Sequence, residues 1–204
     1  MRATGMTFET GRKNWPFSSA SYQQSLDMKV LVTYSSGYGT TKEVAEKIAG
    51  ILDQTHGLVV TVKSIDDVSG IQEFDGIIIG SSVRADRPLA NVRDFFARYS
   101  SELAQKQLAI FAVCLAANSS EGCDRVKKEY IAQITAKYPR LKPICTQAFG
   151  GKIDFDQLNP VMQQLMKSVL KKIGIATEGS VDMRNWDLIE AWAVELREKL
   201  QKAA

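Results

Sequence analysis

Between its first β-branched apolar run and its first amphipathic stretch the chain reads YSSGYGTTKEV, from Tyr34 to Val44. Ser35, Ser36, Thr40 and Thr41 surround Gly37, Tyr38 and Gly39, with neither lysine nor cysteine before Lys42. Hydroxyl donors and the unpaired N–H groups of a helix start together suit an anion, with no cation in the loop. Gly37 and Gly39 permit close backbone approach and positive φ. Absences narrow the chemistry. No GxxxxGK is present, and Lys42 stands where a GxGxxG fingerprint needs its third glycine. The loop offers no thiol nucleophile, and Gly80-Ser81-Ser82 stands where a phospho-receiver carries aspartate. What remains suits a terminal phosphate monoester. A ligand-free helix cap competes with this reading, although one Ser or Thr would suffice for it.

The elements that must position the loop follow from periodicity. KVLVTY reads as a buried strand, and TKEVAEKIAGILDQTHG carries Val44, Ala45, Ile48, Ile51 and Leu52 at helical spacing. LVVTVKSI, FDGIIIGSS, KQLAIFAVCLAA and KPICTQAFGG read as four further strands. They alternate with helices over PLANVRDFFARYSSEL, where Pro88 is expected in the first turn, and over DRVKKEYIAQITAKY. Two helices close the chain, NPVMQQLMKSVLKKIG and WDLIEAWAVELREKLQK. Such alternation predicts right-handed crossovers and an α/β three-layer sandwich around a five-stranded parallel sheet. The strand order 2-1-3-4-5 puts a ligand outside the carboxyl ends of the strands, beside strand one. The helix after strand five is extra to that plan.

With those elements in place, YSSGYGTTKEVA resembles the phosphate-binding loop of the flavodoxin-domain family. IIIGSSVRADRPLANVRDFFARYSSEL and DMRNWDLIEAWAVELREKL look like the branch that includes menaquinone-dependent protoporphyrinogen IX dehydrogenases. The resemblance runs from Met28 to Lys202. It implies a flavodoxin-like fold and FMN, with the phosphate held by Ser35, Ser36, Gly37, Tyr38, Gly39, Thr40 and Thr41. It places Ser81, Ser82, Val83 and Arg84 on one side of the flavin ring and Leu115, Ala116, Ala117 and Asn118 on the other. It further implies an oxidoreductase of heme biosynthesis that passes electrons from substrate to FMN to a quinone or a redox protein partner. An electron carrier without its own substrate, and a cofactor-free interaction module, are the alternatives.

Neither ring loop contains the tryptophan or tyrosine with which electron-carrier flavodoxins sandwich the flavin. Arg84 and Arg87 stand against the single Asp86, and a cation near the ring favours the reduced, anionic flavin. Arg84 is therefore the candidate for contact with flavin or substrate, and no other catalytic residue is singled out. Solvation or pairing of both arginines is the competing reading.

Composition bounds the rest. The 204 residues, 45% apolar and 24% charged, suit one globular domain from Met28 to Ala204. Residues 1–27 are polar and aperiodic, and read as a disordered tail. Cys114, Cys123 and Cys145 form no CxxC, and with one histidine, His56, no metal site is suggested. Reduced, buried thiols fit a cytoplasmic protein. A net charge of +3 without a basic aromatic stripe does not suggest nucleic acid. The segment from Pro160 to Ile173 sets Val161, Leu165, Val169 and Ile173 beside Met162, Met166 and Leu170, with Lys167, Lys171 and Lys172 elsewhere. That is a candidate peripheral contact with the inner membrane face; packing on the domain or on a second subunit is the alternative.

Overall fold

The run MKVLVTYS forms strand β1, Met28–Ser35, with Val30, Leu31 and Val32 at 0% exposure. The computed structural model describes residues 27–84, 87–172 and 179–203. All of the expected tail except Asp27, the side chains of Arg84 and Arg87, Asp86, and the end of the basic helix lie outside these residues. Helix α1 covers Thr40–Asp53, β2 Leu58–Ser64, β3 Gly76–Arg84, α2 Ala90–Leu103 and β4 Gln107–Val113. Helix α3 runs through Ser120–Val126, a π-helical turn at Lys127–Ile131, and Ala132–Lys137. Strand β5 is Cys145–Phe149 and the final helix, α5, is Trp186–Ala203.

The five strands pair in parallel, as the alternation of the sequence predicts, and in the expected order β2-β1-β3-β4-β5. Successive side chains point to opposite faces, so each strand feeds two layers. Leu31, Ile77, Ile79, Leu108 and Ile110 pack with Val92 and Phe96 of α2 and Val126 of α3. Val30, Val32, Ile78, Phe111 and Phe149 pack with Ile48 and Leu52 of α1 and Trp192 of α5. Burying each of these large side chains contributes about 1.5–3 kcal/mol. A one-residue slip would exchange the two faces, which fixes the register and with it the alignment of the loops at the strand ends.

Two features depart from the expected elements. Pro88 is not in a helical turn: Arg87–Pro88 folds back antiparallel on β3, pairing Val83 with Pro88, and α2 starts at Ala90. Proline drives the residue before it toward extended backbone, which suits this return. The segment between β5 and α5 is more than a helix. Strand β6, Lys152–Asp154, and strand β7, Ser180–Asp182, form an antiparallel pair around helix α4, Pro160–Lys172. This insertion owns a small core of Ile153, Phe155, Leu158 and Leu170, against which Leu115, Met166 and Met183 pack. The apolar positions of α4 divide accordingly. Leu170 is buried, while Val161, Leu165 and Met162 are 81%, 52% and 39% exposed.

Among the described residues no helix is long and apolar enough to cross a membrane. No group of three or more ligand-type side chains there could hold a metal ion. Cys114, Cys123 and Cys145 form no disulfide, and burial pushes the thiols of Cys123 and Cys145 up, which favours the protonated, less nucleophilic form.

Candidate functional site

Strand β1 delivers Ser35 to the carboxyl edge of the sheet, directly beside Ser81 of β3. Ser81 in turn stands beside Ala112, and Ser82 beside Val113, at the end of β4. The register thus brings the loops after β1, β3 and β4 to one end of the sheet, where a doubly wound fold binds its ligand. Gly80 marks the approach: a Cβ there would lie 2.2 Å from the Phe111 ring.

The first loop is built around backbone N–H groups. Gly39 caps α1 at φ +85°, a conformation that favours glycine, and supplies no side-chain cap. The Ser36 hydroxyl oxygen accepts from the Thr41 N–H at 3.2 Å, so a serine oxygen takes a helix-start donor suited to an anion. The Thr40 hydroxyl makes a long 3.4 Å contact to the carbonyl of Lys152 in the insertion. Thr41 is fully buried and its Oγ1 has no partner. An unmatched buried hydroxyl costs about 1–3 kcal/mol, which makes this atom a candidate contact for a hydrogen-bonding ligand. Ser35 has a different task. Its hydroxyl donates to Asn91 Oδ1 at 2.7 Å, and Asn91 Nδ2 donates to both carboxylate oxygens of Asp66 at 3.0 and 3.1 Å. That chain ties the base of the loop to the start of α2 and the turn after β2. Tyr38, at the tip, is 51% exposed.

In the second loop the Ser81 hydroxyl donates to the carbonyl of Ser82 at 2.9 Å, whereas the buried Ser82 Oγ has no partner. Val83 packs against the α2–α3 layer, and Arg84 is placed by its backbone pairing with Arg87. In the third loop Leu115 leans on the insertion's core. Ala117 is buried and donates its N–H to the Cys114 carbonyl at 3.0 Å. Asn118 is exposed. A Cβ on Gly122 would lie 2.1 Å from the Ala116 carbonyl oxygen, which fixes the loop's path. The ring loops therefore offer backbone and small side chains, and no described aromatic ring.

Sequence reasoning missed how the insertion braces the first loop. Arg184 pairs locally with Asp182, through Nε at 2.8 Å and a second nitrogen at 2.5 Å. It also reaches Glu43, in the first turn of α1, at 2.6 Å, and stacks 4.4 Å from the Trp186 ring centre. The guanidinium side chain is only 4% exposed. Its hydrogen bonds are the first cause holding the Asp182 carboxyl below the usual aspartate value of 3.8. A carboxylate with a depressed folded value stabilises the native state above its unfolded value and loses that contribution as pH falls through the folded one. Stability is thus expected to decline as pH drops below about 4. In Asp182→Asn that part of the decline disappears, as urea midpoints across this range would show.

A cavity of about 130 Å³ opens elsewhere, between α2 and α3, lined by residues such as Phe96, Tyr130 and Tyr138 and by none of the candidate ligand residues. Pro88, from the loop after β3, also lines it. The buried hydroxyls of Thr33, Thr41, Thr55 and Ser82 have no partner, and of these Thr41 and Ser82 belong to the candidate loops.

The family model described as a flavodoxin domain matches residues 31–180. No curated protein matches the sequence significantly. A flavodoxin from the domain Archaea is similar at 19% identity and TM-score 0.50, covering 85% of this chain and 99% of its own. A flavodoxin from Pseudomonas aeruginosa, solved as a cysteine-to-serine variant, is similar at 13% identity and TM-score 0.51, covering 85% and 99%. A metal-soaked flavodiiron core from Synechocystis is similar at 17% identity and TM-score 0.56. That match covers 90% of this chain and 38% of the longer protein. Likeness at these identities speaks to the fold alone.

Proposed function

The chain belongs to the flavodoxin-domain family, with FMN as its cofactor, and from that premise we propose an FMN-dependent oxidoreductase that passes electrons from an organic substrate to a quinone. The residues fit the group. Thr41 Oγ1 is buried without a partner, and the loop is rich in N–H donors at a helix start, with Gly39 allowing close approach. Ser36, Thr40 and Thr41 would hold the phosphate, with Gly37, Tyr38 and Gly39 as the backbone frame and Ser35 anchoring it from below. Ser81 to Arg84 and Leu115 to Asn118 would border the ring. FMN, when bound, supplies the acceptance and release of electrons. The chain's own residues orient it and set the polarity around it. Arg84 is the candidate for drawing in a substrate carboxylate.

The observation that carries an enzyme over a carrier is the insertion. It packs on Leu115 at the ring loop and presents Val161, Met162 and Leu165 outward on α4, with Lys171 also exposed. An exposed apolar stripe with lysines suits an anionic membrane surface, where a quinone is dissolved. The branch resembling menaquinone-dependent protoporphyrinogen IX dehydrogenases fits this arrangement, with protoporphyrinogen as the substrate to try first. Potentiometry of the FMN-loaded protein, followed by reoxidation with a water-soluble naphthoquinone, tests the reading. A potential at or above that of free FMN and rapid reoxidation are expected. A potential far below it, with no response to quinone, would make the protein a low-potential carrier.

A further inference from the structure

We infer that Arg184 is a positioning residue for the cofactor phosphate: by drawing the Glu43 carboxylate into a bridge with Asp182, it clears negative charge from the start of α1. This inference rests on the FMN reading of the loop. Glu43 lies one helical turn from the loop, and its N–H donates to the Gly39 carbonyl at 3.0 Å. An acidic side chain in a first turn is attracted to the positive helix end, which is the same end a phosphate needs. Two anions then compete for it.

The structure resolves that competition from outside the loop. The guanidinium arrives from residue 184, at the junction of the insertion with α5, and holds Glu43 Oε2 at 2.6 Å. Asp182 grips its other side through two side-chain bonds and also accepts the Arg184 backbone N–H at 3.1 Å. Trp186 stacks against the flat face. With so little exposure, the guanidinium has few other places to go. A loop without lysine is thus served by charge carried on a segment 141 residues downstream of Glu43.

The test compares FMN with riboflavin, which has the ring but no phosphate, by flavin fluorescence quenching on the full chain. Arg184→Gln leaves Glu43 without its cation at the start of α1 and Asp182 with only Lys152 nearby, so FMN is expected to bind on the order of tenfold more weakly, and more so at low salt. Riboflavin affinity is expected to change less than about twofold, because the ring loops are untouched. Glu43→Gln removes one anion, and FMN is expected to bind about two- to threefold more tightly, an effect of opposite sign. Arg184→Lys keeps the charge without the bidentate grip. It is expected to retain near-normal FMN affinity even where its melting temperature falls. If Arg184→Gln fails to fold, the Glu43→Gln and Arg184→Lys results decide the matter. Equal weakening of FMN and riboflavin in all three variants would leave Arg184 as a brace only and overturn the inference. An unaltered FMN affinity in Arg184→Gln would overturn it too. A wild-type chain that binds no FMN would instead remove the underlying reading, and that arm of the experiment separates the two failures.

Discussion

A Thr41→Val protein is expected to be at least as stable as the natural chain and to bind FMN about 10- to 100-fold more weakly. Both halves follow from one atom. Thr41 is fully buried and its Oγ1 meets no partner. In the ligand-free protein that hydroxyl carries an uncompensated desolvation cost, of about 1–3 kcal/mol for a buried polar group. Valine has nearly the same shape and removes the cost. Toward a phosphate the balance reverses, because a hydrogen bond to a charged oxygen is worth about 1.5–3 kcal/mol. At about 1.4 kcal/mol per decade this is the stated range. Denaturant midpoints and an FMN titration measure the two effects separately. A variant that loses stability and keeps its FMN affinity would show that Thr41 serves packing, not the ligand.

The second large effect is expected at Gly150, where alanine should cost about 3 kcal/mol and unseat the insertion. A Cβ there would lie 1.9 Å from the Met183 carbonyl oxygen and 2.7 Å from its carbon. Both are backbone atoms, so no flexible side chain can turn aside. The neighbouring chain cannot easily retreat either. Met183 N–H donates to the Gly151 carbonyl at 3.0 Å, and Phe149 accepts from Cys114 N–H at 3.0 Å. For a chain of this length about 2–4 °C of melting temperature accompanies each kcal/mol, giving a fall of roughly 6–12 °C. Gly50 in α1 is the control, since a Cβ there meets nothing within 4 Å. Gly50→Ala should be neutral or slightly stabilising. A melting temperature for Gly150→Ala close to that of the control would contradict the tight backbone crossing.

The sheet was legible because IIIGSS and QLAIFAV are too apolar for anything but a central strand, and their neighbours alternate with helical patterns. The loop of Ser35 to Thr41 was legible for a similar reason, since its residue types stand together in sequence. What escaped depends on distant partners. Lys152–Asp154 and Ser180–Asp182 are three-residue strands, too short to carry a period of two, and they pair across the whole of α4. Arg184 and Glu43 meet across 141 residues, so neither announces the other. Ser35 looked like its neighbours, yet its hydroxyl turns to Asn91 at 2.7 Å, on an element that only the fold brings near. The two apolar edges of α4 were both visible in the sequence. Which of them is packed, Met166 and Leu170, and which is bare, Val161 and Leu165, is decided by the insertion's core.

The central claim is that FMN sits with its phosphate on the loop after β1 and its ring between the loops after β3 and β4. An amide nitrogen–proton correlation spectrum of the labelled chain, recorded as FMN is added, tests this most directly. The account predicts the largest shifts at the amides of residues 36–41, with further shifts at 81–84 and 115–118 and little change at Phe96, Tyr130 and Tyr138. Shifts centred on the cavity between α2 and α3, with the first loop unmoved, would contradict it.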